Sequence, residues 1–175
     1  MNKFKLLTLS SLALATPLIP ASASTTVKIE TKSTYMNVTV PTSIEFVFNE
    51  DGTNTLPTNF VITNNSPIAN VSLVKARLSA GTSPWRLLPQ TSNTKLLAVD
   101  TKDIKFYMGT EGQKKLVSPG NTVSSVGEVT WNNGELSIAS LGSKALSFDI
   151  ERGAFKTAES SAKAFDLILT FEYNQ

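Results

Sequence analysis

Hydrophobic and polar residues alternate along most of the chain after its first two dozen residues. Val27 and Ile29 alternate with Lys28 and Glu30. A period of two places successive side chains on opposite faces of a β-strand. The same period predicts about nine to eleven strands, most clearly in the segments SIEFVF, NVSLVKARLS, DIKFYM, EVTWNNGELSI, KALSFDIE and FDLILTFEY.

Short turn sequences separate these segments. Asp51-Gly52 and Asn133-Gly134 are pairs that accept the positive φ angles of tight turns, so each predicts a hairpin. In NVSLVKARLS the alternation slips once, which predicts a β-bulge. Short strands joined by such turns are typical of an antiparallel β-sandwich with Greek-key or jelly-roll connections. We therefore predict an all-β fold, with residues 24–175 forming one domain.

The first 23 residues have a different pattern. Lys3 and Lys5 precede a predominantly apolar stretch over residues 6–19, and Ala21-Ser22-Ala23 follows with the small-x-small pattern of a cleavage site. The apolar stretch is shorter than the roughly 20 residues that a spanning helix needs. We predict a signal peptide over residues 1–23, cleaved after Ala23, and a secreted protein.

Charge and composition exclude several classes of function. The chain has 16 basic and 14 acidic residues, and two of the basic residues lie in the predicted signal peptide. Because residues 24–175 have no basic surplus, we expect no nucleic acid as a partner. We also expect no association with a membrane after the signal peptide is cleaved. Histidine and cysteine are absent, which excludes a Ser-His-Asp triad, a cysteine nucleophile and the usual zinc ligands. We expect no catalytic, cofactor-binding or metal-binding residues and no enzyme activity.

Residues 87–92 read LLPQTS and resemble the Leu-Pro-x-Thr-Gly signal that sortases cut in Gram-positive bacteria, with Ser92 in place of glycine. Such a signal works near the C-terminus, before an apolar tail and basic residues. Here 83 residues follow Ser92. We therefore expect LLPQTS to be a loop after the strand around Trp85, with Pro89 preventing the strand from continuing. We expect the protein to associate with the cell surface without sortase anchoring.

The segments VPTSIEF, NNS, SPWRL and FDLILTFEY resemble in their layout the Trp-x-Leu domains of low-GC Gram-positive bacteria. Those domains are secreted and bind the cell wall non-covalently. WRL at residues 85–87 matches the first motif, whereas FEY at residues 171–173 replaces the second. The resemblance implies a module for cell-wall polysaccharide or another carbohydrate, with Trp85 and Leu87 of the matched motif as candidate contacts. Sugar-binding sites usually display aromatic platforms, for which Trp85, Trp131, Tyr35 and Tyr107 are the candidates. The alternative is that the tryptophans belong to the core, since large aromatic residues supply much of a sandwich's buried area.

The layout of the whole predicted domain, including VPTSIEF, DG and NFVITNNS, is similar to small β-sandwich subunits of Gram-positive matrix fibres and pilin-like polymers of the TasA type. That resemblance implies a subunit that lends an N-terminal strand to a neighbour. Thr25–Thr31 has the required pattern, with Val27 and Ile29 as the candidate donor side chains. The alternative is that this segment pairs within its own sheet.

Taken with the absence of catalytic residue types, this second resemblance favours a secreted, non-enzymatic structural or surface protein. We expect a subunit of an extracellular fibre, a pilus-like polymer or a biofilm matrix, which associates with itself or with other surface proteins. A carbohydrate-binding module of the cell wall is the alternative.

Overall fold

The computed structural model describes residues 36–49, 51–156 and 162–174. The predicted signal peptide and the candidate donor segment Thr25–Thr31, with Val27 and Ile29, lie outside the described residues. The described part contains one short 3-10 turn, Thr94–Leu96, and thirteen strands. The strands are β1 (Val38–Thr39), β2 (Val47–Phe48), β3 (Asn54–Thr55), β4 (Val61–Asn64), β5 (Val71–Ser79), β6 (Arg86–Leu87), β7 (Asp103–Thr110), β8 (Gln113–Leu116), β9 (Val126–Thr130), β10 (Ser137–Ile138), β11 (Ser143–Ala145), β12 (Ser147–Arg152) and β13 (Asp166–Tyr173).

Two four-stranded sheets form most of the structure. In the first, β5 pairs with β13 on one side and with β9 and β10 on the other. In the second, β7 pairs with β12 on one side and with β6 and β8 on the other. A three-stranded sheet, β1-β4-β11, and the hairpin β2-β3 complete the fold. All strand pairs are antiparallel except β6 with β7, and this arrangement confirms the predicted β-sandwich class.

The strands outnumber the nine to eleven expected from the sequence because some predicted runs are interrupted. The segment KALSFDIE, for example, is divided between β11 and β12, which belong to different sheets. Leu146 lies between these two strands, and its N–H donates to Phe60 O at 2.9 Å. A single alternating run in the sequence can therefore supply two sheets when the chain crosses from one to the other.

The predicted bulge is confirmed in β5. Thr170 lies opposite Lys75, but the next residue of β13, Phe171, lies opposite Leu73. Val74 is therefore the extra residue of β5 at this point. Because one residue is inserted, the alternation slips once while both halves of β5 keep apolar side chains in the core.

The two predicted hairpins have different outcomes. Asp51-Gly52 does join the paired strands β2 and β3, with Gly52 at φ +86°. The hairpin predicted at Asn133-Gly134 is wrong. Gly134 has φ +92° in a turn, but β9 and β10 both run antiparallel to β5, one after the other along the same side. The turn interrupts two strands that continue in the same direction along β5, so it does not reverse the chain.

A cluster of phenylalanine rings occupies the centre of the core. Phe148, 2 % exposed, has its ring centroid 5.3 Å from that of Phe60, 5.7 Å from Phe106 and 5.8 Å from Phe46. The contacts with Phe46 and Phe60 are edge-to-face, a geometry that the ring quadrupole favours. Full burial of a phenylalanine side chain, as for Phe60, Phe106 and Phe148, contributes roughly 1.5–3 kcal/mol through removal from water. The alternating phenylalanines of SIEFVF and KALSFDIE thus bring two distant parts of the sequence together.

Candidate functional site

Over Asp166–Glu172, the strand β13 has a free edge in the described part of the chain. Along its whole length it pairs with β5, and no other described strand pairs with it. Unpaired N–H and C=O groups along such an edge form a template for another strand. Nothing in the fold of the described residues covers this edge as a further strand would.

The apolar side of β13 is only partly covered. Leu167, Leu169 and Phe171 face the core but are half-buried. Their partners on the same face of β5 are fully buried, Leu78 at 3 % exposure and Leu73 at 1 %. The core-facing side chains of β5 are therefore fully shielded from water, whereas those of β13 are only partly shielded. A row of half-covered apolar side chains beside a free edge is the surface that an added strand would complete.

The first described residues share this property. Met36, Val38 and Val40 pack against the core but are half-buried, and β1 pairs only with β4 among the described strands. The candidate donor segment ends four residues before Tyr35-Met36 at Thr31. The half-buried residues Met36, Val38 and Val40 are therefore the first described residues after that segment in the chain.

The outer face of β13 carries two carboxylates and one large apolar side chain. Asp166, Ile168, Thr170 and Glu172 are all exposed there. Asp166 forms an ion pair with Lys163 at 2.6 Å. Ile168 is a large apolar side chain on a solvent-facing position, with 52 % of its surface exposed. This face offers carboxylates to a basic residue on an adjoining strand.

Trp85 belongs to a second aromatic cluster at the surface. Its ring lies 5.7 Å from Phe48 and 5.9 Å from Phe155, and the side chain is half-buried. The guanidinium of Arg152 lies over Phe48 and Phe155, at 4.7 and 5.4 Å from the ring centroids. The cluster forms because the β2-β3 hairpin brings Phe48 onto the end of β12.

Arg152 fastens that hairpin to β12. Its Nε donates to Asn54 Oδ1 at 2.8 Å, and Nη2 donates to the carbonyl oxygens of Asn49 and Thr53 at 3.2 and 3.1 Å. Asn54 Nδ2 in turn donates to Ile150 O at 2.7 Å. Burial lowers the pKa of Arg152 from its ordinary value, but arginine remains charged at any physiological pH. Its role here is to cover the edge of β12.

The other two candidate carbohydrate contacts are core residues. Leu87 is fully buried and Trp131 is 5 % exposed, so neither presents a surface to a polysaccharide. The expectation that they form a platform with Trp85 is therefore corrected for these two residues. A leucine at the end of a strand and a tryptophan after one have the same sequence pattern in a core as in a binding site. Trp85 is the remaining candidate contact.

Glu151 of β12 pairs with two titratable residues of β7. Tyr107 Oη donates to Glu151 Oε1 at 2.8 Å, and Lys105 Nζ lies 3.4 Å from Glu151 Oε2. Burial, followed by the hydrogen bond to Glu151, raises the pKa of Tyr107, so this phenol stays protonated at neutral pH. Within the described ranges there is no group of three or more potential metal ligands. No helix in these ranges is long and apolar enough to cross a membrane.

Two features of the site were not predicted from the sequence. Arg152 ends a strand like many surface arginines, and only its neighbours in space distinguish it. The free edge of β13 was also missed, although FDLILTFEY was correctly predicted as a strand. No family model, curated protein or solved structure matches this chain.

Proposed function

We propose that this protein is a secreted, non-enzymatic structural subunit that assembles with copies of itself into an extracellular fibre, pilus-like polymer or biofilm matrix. The observation that carries the proposal is that no other described strand pairs with the outer edge of β13 over Asp166–Glu172, beside the half-buried Leu167, Leu169 and Phe171. A monomeric sandwich is expected to protect an edge of this kind. The partner is a second copy of the chain at the cell surface, held without sortase anchoring.

The donated element in this proposal is Thr25–Thr31 of the neighbouring copy. Val27 and Ile29 alternate with polar residues, so both side chains fall on one face of an extended strand. Added to the edge of β13, that face covers the half-buried apolar row. Lys28 then lies on the outer face, where β13 carries the carboxylates Asp166 and Glu172. Main-chain hydrogen bonds supply affinity, and the apolar side chains supply specificity.

The net charge of the assembling chain favours this role. With the two lysines of the predicted signal peptide removed, residues 24–175 carry equal numbers of basic and acidic side chains. A protein far from neutrality repels its own copies, whereas a neutral one does not. Self-association therefore has no long-range electrostatic barrier to overcome.

The proposal is tested with residues 24–175 by sedimentation over a wide range of concentrations. We expect concentration-dependent oligomers for the natural sequence. Val27→Asp with Ile29→Asp should raise the concentration needed for assembly by at least about a hundredfold, because two carboxylates would enter an apolar groove. Lys28→Ala with Glu30→Ala, on the polar face of the same segment, is the matched control and should retain assembly.

Two results would count against the proposal. A natural sequence that stays monomeric at high concentration would refute self-assembly. A Val27→Asp and Ile29→Asp variant with a lowered melting temperature and unchanged oligomer size would show that Thr25–Thr31 is an ordinary strand of its own sheet. The first result would favour the carbohydrate-binding alternative, which rests on Trp85, whereas the second would leave self-assembly through another surface.

A further inference from the structure

Two loops meet at the end of β4 and expose apolar side chains. One loop, residues 65–70, follows β4, and the other, residues 139–142, joins β10 to β11. Ser66 O accepts hydrogen bonds from Ser140 Oγ at 3.0 Å and from Leu141 N at 3.2 Å. Ile68 and Leu141 are 74 % and 69 % exposed. We call this pair of side chains the apolar tip.

The loops that carry the apolar tip are held by a buried asparagine. Asn64 Nδ2 donates to Ala69 O at 2.9 Å and to Ala139 O at 3.1 Å, one carbonyl in each loop. Its Oδ1 accepts from Ser66 N at 3.0 Å. The tip is therefore a preorganised surface, and a preorganised contact loses less conformational entropy on binding.

Leu141 has an unfavourable backbone conformation for its residue type. Its φ is +54°, within a turn closed by Gly142 N donating to Ala139 O at 2.9 Å. Glycine or asparagine is the usual residue at a turn position with positive φ. Packing in the core does not offset this strain, because the Leu141 side chain is largely exposed. A strained, exposed leucine points to a use outside the monomer.

A groove of matching character lies at the other end of β4. The two legs of the β2-β3 hairpin diverge over residues 41–47 and 55–60 and enclose about 420 Å³. Its apolar lining consists of Pro41, Ile44, Val47, Leu56, Pro57 and the buried Phe60, and Glu45 is its one charged lining residue. Val47 is 54 % exposed, so the groove is open to a partner.

The strand registers place the tip and the groove at opposite ends of one sheet. Val61, the first residue of β4, follows the groove residue Phe60, and Asn64, the last, precedes the tip loop. In β11, Ser143 lies opposite Thr63 and follows the second tip loop, while Ala145 lies opposite Val61. A copy stacked along this sheet would therefore present its tip to the groove of the next.

We propose that the apolar tip of one copy docks into the groove between residues 41–47 and 55–60 of a second copy, head to tail. This inference rests on the proposed self-assembly and adds a contact surface to it. The tip loops, NSPIAN and ASLG, contain no charged residue, which suits a groove with a single carboxylate. A heterologous contact of this kind extends into an open filament or closes into a ring.

Leu141→Gly is the sharpest variant, because it removes the side chain and at the same time relieves the positive φ. We expect an unchanged or raised melting temperature, together with an increase of about tenfold or more in the concentration needed for assembly. Ile68→Asp should have the same direction of effect on assembly. Leu96→Asp is the matched control, since Leu96 is 81 % exposed on a different loop, and it should leave assembly unchanged.

A charge exchange tests whether the tip meets this groove and no other surface. Val47→Lys alone and Ile68→Asp alone should each weaken assembly, and the double variant should recover a substantial part of it, because Asp at the tip would face Lys in the next copy's groove. Weakening that is merely additive in the double variant would overturn the docking proposal. An assembling natural sequence that is insensitive to Leu141→Gly and Ile68→Asp would also overturn it while leaving the proposed function intact. A natural sequence that never assembles would refute both.

Discussion

β12 and β13 are both at the edge of their sheets, but among the described residues only β12 is covered by another part of the chain. Phe148 and Ile150 of β12 are 2 % and 4 % exposed, because the β2-β3 hairpin lies against that strand. The equivalent inward residues of β13, such as Leu169, are half-buried. The two strands have the same alternating pattern, so the difference comes from what lies beside them.

The covering of β12 shows what β13 lacks within the described residues. Asn54 of the hairpin donates to Ile150 O of β12 and accepts from Arg152 Nε, while Phe46 and Phe60 cover the apolar face of β12. The cover of β12 thus combines hydrogen bonds to the strand with apolar side chains packed on its inner face. An added strand that carries Val27 and Ile29 has both components, which is why the comparison supports a donated strand at β13.

The largest difference should appear when one apolar side chain is shortened in each strand. Ile150→Ala should destabilise the monomer by about 2–5 kcal/mol, because it leaves a cavity in a closed core. Leu169→Ala should cost the monomer less, roughly 1–2 kcal/mol, because water already reaches this side chain. Denaturant unfolding of the two variants at low protein concentration measures both values. Equal losses would show that β13 is as well covered as β12.

Leu169→Ala should in addition weaken assembly, whereas Ile150→Ala should act mainly through stability. The proposed strand packs on Leu169, and removing the contact removes part of the binding surface. Sedimentation of both variants at temperatures where each is fully folded separates the two effects. An unchanged assembly concentration for Leu169→Ala would place the intersubunit contact elsewhere.

A smaller effect is expected from removing the cover of β12. Arg152→Ala should destabilise the protein by about 2–3 kcal/mol, since it removes charge-assisted hydrogen bonds and a cation–π contact. Arg152→Lys should recover only part of this, because an ammonium group cannot reproduce the planar fork of donors. Amide hydrogen exchange should show faster exchange in β2, β3 and β12 and little change in β13. Protection that is lost uniformly along the chain would contradict a local clamp.

Much of the fold could be predicted from the sequence because alternation is a local property. The alternate residues of SIEFVF and FDLILTFEY pack against the core as expected, although Val47 and Ile168 between them are exposed. The slip in NVSLVKARLS does mark a bulge at Val74. The hairpin at Asn133-Gly134 was wrong because turn chemistry specifies a local conformation. The pairing of both flanking strands with β5 decides the direction of the chain.

The candidate site was less predictable because it depends on contacts between distant residues. Trp131 and Leu87 have the composition of a binding motif, but their position between the sheets makes them core residues. Neither the free edge of β13 nor the clamp by Arg152 has a local signature, since both are defined by neighbours far along the chain. Leu141 illustrates the same limit, because its positive φ is visible only in the folded turn.

Disulfide cross-linking between two copies tests the central claim most directly, since the chain has no cysteine of its own. One copy carries Lys28→Cys, and a second, of different mass through an added tag, carries Ile168→Cys, Thr170→Cys or Glu172→Cys on the outer face of β13. Residues opposite each other on adjacent strands lie about 4.5–5.5 Å apart, within the reach of a disulfide. The account predicts a cross-linked heterodimer for at least one of these pairs, and none when Leu96→Cys replaces the β13 cysteine. A link that forms only when both cysteines are in one chain, and persists at high dilution, would contradict it.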